Sequence, residues 1–243
     1  MLQRSTNAWS AIRLKELAFS HEICSLCGCP VQMRLNKDEI GIRCLRCGAS
    51  AVTQSLATVI NQSFPKLDTV DVYELSAAGP LVNWLRKRSK SLTISEFLPN
   101  DLMSRIKRPI DYQDVQKLTY LDDSFDLCTS TEVFEHVEDD AAGFKQLLRV
   151  LRPGGRLIFS VPFNGAEVTI ERTELRDGRL VHVLPPDYHG DRYRGKTVLC
   201  YRNYGWDIVD RITAAGFCDV EIRQPTQNLF GYARPIVRAR KSV

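Results

Sequence analysis

Two stretches decide how this chain folds: Asp114-Val-Gln-Lys-Leu-Thr-Tyr-Leu-Asp-Asp-Ser-Phe-Asp-Leu-Cys-Thr-Ser-Thr-Glu-Val-Phe-Glu-His-Val137, and, one helix length later, Leu148-Arg-Val-Leu-Arg-Pro-Gly-Gly-Arg-Leu-Ile-Phe-Ser-Val-Pro162. Each contains a short apolar run, Phe125 to Cys128 and Arg156 to Val161, and the segment Asp140 to Leu151 between them has helical character. Asp139 and Asp140 fall at the helix N-terminus, where the partial positive charge of the backbone favours carboxylates. Arg152-Pro-Gly-Gly155 is a turn through which no helix continues. Strand, helix, strand with largely apolar strands is the pattern of a parallel sheet covered by helices.

The alternation extends in both directions. Strands are predicted at Thr69 to Leu75 and Ser91 to Ser95 around a helix at Pro80 to Lys87, and a short strand ends near Asp111. After Asn164 to Tyr204, a long polar stretch that reads as an irregular lid or binding loop, come a helix at Trp206 to Ala215 and strands at Cys218 to Arg223 and Ala233 to Arg238. A helix at Ser50 to Phe64, stopped by Pro65, reads as a linker to what precedes it.

With 243 residues, 44% hydrophobic and 26% charged, there is room for one full α/β domain and a small accessory unit. The net charge of +4 is too mild to require nucleic acid. No stretch approaches the roughly 18 consecutive apolar residues of a membrane span, and Met1 to Lys15 lacks a signal-peptide apolar core, so a cytoplasmic protein with no membrane partner is expected.

Five of the eight cysteines crowd into one segment, which points to metal rather than disulfides. Cys24-Ser-Leu-Cys27 and Cys44-Leu-Arg-Cys47 are two Cys-x-x-Cys turns, each followed by glycine, Gly28 and Gly48. Together they supply the four thiolates of a tetrahedral structural zinc (Zn2+), and the glycines would let backbone N–H groups turn toward the sulfurs. Cys29, two residues after Cys27, is a competing ligand.

The segments from Asp114 to Val137 and from Leu148 to Pro162 resemble the class I S-adenosylmethionine-dependent methyltransferases, in particular the group with the patterns D-x-x-x-L-P-F-x-D-x-S-F-D, E-V-L-E-H-V and R-V-L-R-P-G-G. With the cysteine turns, the chain resembles a bacterial subgroup that joins a zinc ribbon to this fold. The resemblance implies a seven-stranded, mostly parallel Rossmann-like α/β sheet. The expected organisation is a ribbon region at 1–49, a linker helix at 50–68, and a methyltransferase domain at 69–243 with an insertion at about 164–204.

It also implies where S-adenosylmethionine would bind: Glu74 and the turn Ser76-Ala77-Ala78-Gly79 around the methionine half, Glu96 on the ribose hydroxyls, Asp114 and Val115 beside the adenine, and Ser130, Thr131 and Glu132 beneath. In an open parallel sheet these are positions at the carboxyl ends of strands. The family's G-x-G-x-G after the first strand is here Ser76-Ala77-Ala78-Gly79-Pro80, so Cβ atoms crowd the cofactor's entrance. The same gap argues against a dinucleotide-binding enzyme, whose glycine fingerprint is absent.

Methyl transfer from a sulfonium requires alignment more than acid or base, but an acceptor hydroxyl or amine benefits from a base. His189, in the insertion, and His136 are the candidate bases, and Asp187, Tyr188, Arg192 and Arg194 are candidate substrate contacts. The leading expectation is a methyltransferase for a small-molecule or saccharide-like acceptor. The second is an RNA-modifying enzyme whose ribbon arginines hold phosphates, and the third is a degenerate, non-catalytic binding protein. The sequence does not speak to oligomeric state.

Overall fold

The computed structural model describes residues 14–98, 110–191, 195–226 and 228–243. The cysteine turns sit on a three-stranded antiparallel ribbon, β1 (Ala18–His21), β2 (Val31–Arg34) and β3 (Ile42–Cys44). It leads into α1 (Ala51–Ser63), whose start is fixed by Ser50, its Oγ accepting from the Thr53 N–H at 3.1 Å. Then follow β4 (Asp71–Glu74), α2 (Pro80–Arg88), β5 (Ser91–Glu96), β6 (Asp111–Tyr112), β7 (Phe125–Thr131), α3 (Asp140–Val150) and β8 (Leu151–Ser160). Asp139 Oδ1 accepts from the Ala142 N–H at 2.9 Å and caps α3. The helix ends one residue earlier than its apolar pattern suggests, because β8 already starts at Leu151 and runs through Pro153 with an irregularity in register.

Three antiparallel ribbons occupy 170–203: β9 (Ile170–Glu171) with β14 (Arg202–Asn203), β10 (Thr173–Arg176) with β11 (Arg179–His182), and β12 (Asp187–Asp191) with β13 (Gly195–Cys200). The irregular lid expected here is therefore corrected to ordered hairpins. Asp177 and Gly178 both adopt positive φ, 50° and 74°, the geometry of a tight hairpin turn that Asp-Gly favours. Finally α4 (Ile208–Ala214) precedes β15 (Cys218–Arg223) and β16 (Ile236–Arg240).

The main sheet has the order β15-β16-β8-β7-β4-β5-β6. Strands β4 to β8 pair in parallel, while β16 runs antiparallel to both β8 and β15. The central strands carry fully buried residues on both faces, Val72 and Tyr73, Leu127 and Cys128, Ile158 and Phe159. Each buried aliphatic or aromatic side chain contributes about 1.5–3 kcal/mol before entropy is counted. One face is covered by Phe144, Leu147, Ile208 and Ile212 of α3 and α4, the other by Leu56, Ile60, Trp84 and Leu85 of α1 and α2.

Cys24, Cys29 and Cys44 belong to this second core, packed with Leu56 and Ala57. Helix α1, expected as a linker, is instead a buried layer between ribbon and sheet, with the Gln54 side-chain amide fully buried and exchanging hydrogen bonds with that of Gln32 on β2. Val52, Leu56, Val59 and Ile60 form one apolar face, and the serines, threonines and glutamines beside them supply the polar side of the same contact.

Candidate active site

Sheet order reverses at β4, which has β5 on one side and β7 on the other, and chain crossovers there leave a crevice at the strands' carboxyl ends. A cavity of about 460 Å³ opens at this point, in the range of small-molecule sites, about 300–1,000 Å³. Ser76 and Ala78 after β4, Glu96 at the end of β5, Asp114 and Val115 after β6, and Thr131 and Glu132 at the end of β7 all line it. Val198 and Leu199 of β13, with His136, build the opposite wall.

The altered glycine turn leaves the cavity open. Gly79 has φ +135°, a conformation L side chains rarely adopt, and it feeds directly into Pro80 at the first position of α2. The one surviving glycine thus stands where the backbone requires it. Ala77 N–H donates to Glu96 Oε1 at 2.9 Å, so the turn is tied to the neighbouring strand's acid.

Not every predicted residue faces the cavity. Glu74 is 1% exposed and is absent from the cavity wall, and burial holds its carboxyl well above the usual range. Ala77 and Gly79 form the turn without lining the space, and the Ser130 side chain is fully buried in the sheet. Asp114 Oδ1 accepts from the Gln116 N–H at 2.9 Å, capping the short turn 115–117. Asp187 and Tyr188 lie on β12, and Arg192 and Arg194 fall outside the described residues.

Glu132 combines several unusual features. Its φ is +53°, a strained conformation for a non-glycine residue that often marks a functional site. Oε1 accepts no hydrogen bond among the described residues, and Arg234 Nη2 stands 3.6 Å away. Burial pushes the carboxyl up to about 7 against the opposing pull of Arg234, with Glu135 and Glu39 also raising it and His189 lowering it.

The two candidate histidines meet: their rings pack edge to face at 5.0 Å. His136 lies on the cavity wall with Nδ1 2.8 Å from the Leu199 carbonyl, whereas His189 stands behind it, 3.8 Å from the Glu135 carboxylate, which raises its pKa. Arg202, which sequence reasoning passed over, locks the insertion to this wall. It is 5% exposed and donates to the carbonyls of Val137 and Glu138 at 2.5 and 2.7 Å and to Glu171 at 3.0 Å. Arg234 and Glu135 were likewise missed, since an arginine near a chain end and a glutamate in an apolar turn carry no motif.

At the far side of α1 the sulfurs of Cys24, Cys27, Cys44 and Cys47 lie within 4.8 Å of one another, with Cys24 to Cys47 at 3.7 Å and Cys27 to Cys44 at 3.5 Å. Gly28 and Gly48 take positive φ, and their N–H groups donate to the carbonyls of Cys24 and Cys44. Cys29 Sγ stays outside this group, 3.8 Å from the Val31 carbonyl.

Residues 47–159 match the family model described as a methyltransferase domain. A demethylmenaquinone methyltransferase from Mycobacterium sp. (strain KMS) is 30% identical over 118 residues, covering 46% of this chain and 51% of that protein. The chain therefore spans about half the length of the curated relatives it matches. Among solved structures, DesVI of Streptomyces venezuelae superposes with a TM-score of 0.52 at 14% identity, covering 79% of this chain and 92% of that one. The 1,6-didemethyltoxoflavin-N1-methyltransferase of Burkholderia thailandensis, solved with 1,6-didemethyltoxoflavin and S-adenosylhomocysteine, gives 0.50 at 16% identity and covers 79% of each chain. Among the described residues no helix is long and apolar enough to cross a membrane. With this sheet order and this strand-end cavity, the chain has the Rossmann-like methyltransferase fold, and its residues 47–159 match a methyltransferase domain.

Proposed function

We propose that the chain transfers a methyl group from S-adenosylmethionine to a small-molecule acceptor. The observation that carries this is the cavity at the sheet's reversal point, walled on one side by Ser76, Ala78, Glu96, Asp114 and Val115 and on the other by the inserted hairpin. Its size and its acids suit the cofactor. Glu96 would accept from the ribose hydroxyls, Asp114 with Val115 would flank the adenine, and Ser76 and Ala78 would bound the methionine half. The names of the similar proteins, a demethylmenaquinone and a didemethyltoxoflavin methyltransferase, support a small molecule over a macromolecule.

When bound, the cofactor supplies an already activated methyl group, so this chain's residues mainly orient and exclude water. We assign acceptance of a proton from the acceptor to Glu132, which lines the cavity and whose carboxyl burial pushes up to about 7. The histidines are poorer candidates, because the two ring nitrogens of His136 face the Leu199 carbonyl and Glu135, and His189 lies off the cavity wall. The four cysteine sulfurs fit a tetrahedral zinc, and Cys24, Cys27, Cys44 and Cys47 would hold it in a structural role, all four positions being filled by protein.

Isothermal calorimetry of the full chain with S-adenosylmethionine and S-adenosylhomocysteine tests the core of this reading. One binding event per chain is expected for both, and no heat with either would refute it.

A further inference from the structure

Behind His136 lies a second group of metal-binding side chains that no role above uses. One ring nitrogen each of His136 and His189 and the sulfur of Cys200 lie within 4.8 Å of one another. Cys200 is fully buried, 3.7 Å from His136 Nδ1. Between the rings stands Glu135, 1% exposed, with both carboxylate oxygens lacking a hydrogen bond among the described residues. Its Oε1 is 3.7 Å from His136 Nε2 and 3.8 Å from His189 Nδ1.

We propose that His136, His189 and Cys200 bind a divalent transition-metal ion, with the Glu135 carboxylate beside both rings, and that the ion clamps the β12–β13 hairpin onto the 134–136 turn. The hydrogen bonding fixes the chemistry of one ligand. A carbonyl can only accept, so His136 Nδ1 carries the proton donated to Leu199, and Nε2 keeps a lone pair aimed at a carboxylate. A neutral Nε2 and a carboxylate facing each other in a buried site call for a shared cation, either a proton or the metal ion proposed here. Backbone support for the distal ring nitrogen is also the usual way a metal-binding imidazole is oriented.

The distances suit an ion. Metal–nitrogen and metal–oxygen bonds near 2.0–2.1 Å and metal–sulfur bonds near 2.3 Å place tetrahedral ligands about 3.3–3.6 Å apart. The separations of 3.7 and 3.8 Å from Glu135 to the two rings need an inward shift of a few tenths of an ångström, and the ring nitrogens and the Cys200 sulfur, within 4.8 Å of one another, close by up to about 1 Å. Two imidazoles and a thiolate favour zinc among the common divalent ions, and the Glu135 carboxylate, 3.7 and 3.8 Å from the two rings, is the group nearest to a fourth position.

Glu135 and His136 come from the turn after β7, and His189 and Cys200 from the two strands of the hairpin. The ion would therefore cross-link two segments distant in sequence and hold the wall formed by Gly190, Val198 and Leu199 against the cavity. This site stands on its own residues, whether or not the cavity accepts S-adenosylmethionine.

The test is the metal content of the full chain, loaded with zinc or cobalt after chelator dialysis and measured by plasma mass spectrometry. His189→Ala and Cys200→Ser should each hold one equivalent fewer than wild type. Cobalt remaining in either variant should show only the charge-transfer bands of an all-sulfur site. Two variants are used because Cys200 is buried and His189 is partly exposed, so at least the latter should retain its circular dichroism. Equal metal content in wild type and His189→Ala would overturn the proposal, leaving an imidazolium–carboxylate pair only. So would a wild-type chain whose only equivalent disappears in Cys44→Ser.

Discussion

Arg234 and Glu39 join the end of the main sheet to the cysteine ribbon: Nη2 donates to Oε2 at 2.6 Å across 195 positions of sequence, with both side chains mostly buried. The same guanidinium stands 3.6 Å from Glu132 on the cavity wall. Tyr232 adds a second tie, its hydroxyl donating to the Lys37 carbonyl at 2.5 Å. The ribbon is thus connected to the floor of the active cavity through one shared cation.

That geometry predicts energetic coupling. In a double-mutant cycle of Glu39→Ala and Arg234→Ala, urea unfolding should yield an interaction of about 1–3 kcal/mol, as for residues in one network. Arg234→Ala alone should cost more than Glu39→Ala, because it leaves two partly buried carboxylates without a counter-charge. Equal costs that simply add would show the contact to be energetically idle.

Glu96→Ala should weaken S-adenosylhomocysteine binding by roughly 10- to 100-fold, the value of one or two hydrogen bonds to a charged acceptor. Its loss also frees the Ala77 N–H, loosening the turn that replaces the family's glycines. Calorimetry reads both effects as a larger Kd with unchanged stoichiometry, and an unaltered Kd would remove Glu96 from the cofactor's site.

The parallel sheet was legible because its central strands are apolar on both faces, so Phe125 to Cys128 and Arg156 to Val161 announce themselves without knowledge of their partners. The cysteine turns were legible because spacing alone brings their sulfurs together. What escaped depends on contacts between distant segments. Helix α1 reads as a linker from its place between the cysteine turns and the first strand of the sheet, and only the fold shows its polar Gln54 and Ser55 buried, Gln54 against Gln32. Glu135 and Cys200 are separated by 65 positions and meet only when the hairpin folds back. The hairpins themselves were hidden by charged residues, although Asp177-Gly178 carried the turn signal.

At the opposite end of the sheet Asp71 accepts hydrogen bonds from Ser91 at 2.7 Å, Arg152 at 2.9 Å and Lys90 at 3.0 Å. These partners, Ser91 first, lower its pKa to about 2. A lowered carboxylate pKa stabilises the fold above the unfolded value, near 3.9, and the gain is lost as pH falls through 2. Asp71→Asn should therefore cost about 2 kcal/mol at pH 7 and the same at pH 5, the penalty shrinking only below about pH 4. Urea midpoints across that range check the sign, and a penalty that vanished by pH 5 would mean the ion pairs contribute nothing.

The cysteine cluster makes the sharpest contrast between neighbouring residues. Cys44 is 2% exposed, and its sulfur belongs to the group of four. Cys29 is equally hidden, yet its sulfur reaches only the Val31 carbonyl. Cys44→Ser should lose the ribbon's metal and, since Cys44 shares a core with Leu56 and Ile60 of α1, lower the melting temperature of the whole domain. Cys29→Ser should keep its metal and cost only the modest penalty of a buried hydroxyl. Chelation should lower the wild type's melting temperature at least as far as Cys44→Ser does, and shift the Cys44→Ser chain only by what the His136, His189 and Cys200 site contributes. If both serine variants retained metal equally, the ion would have to be held by a different set of sulfurs.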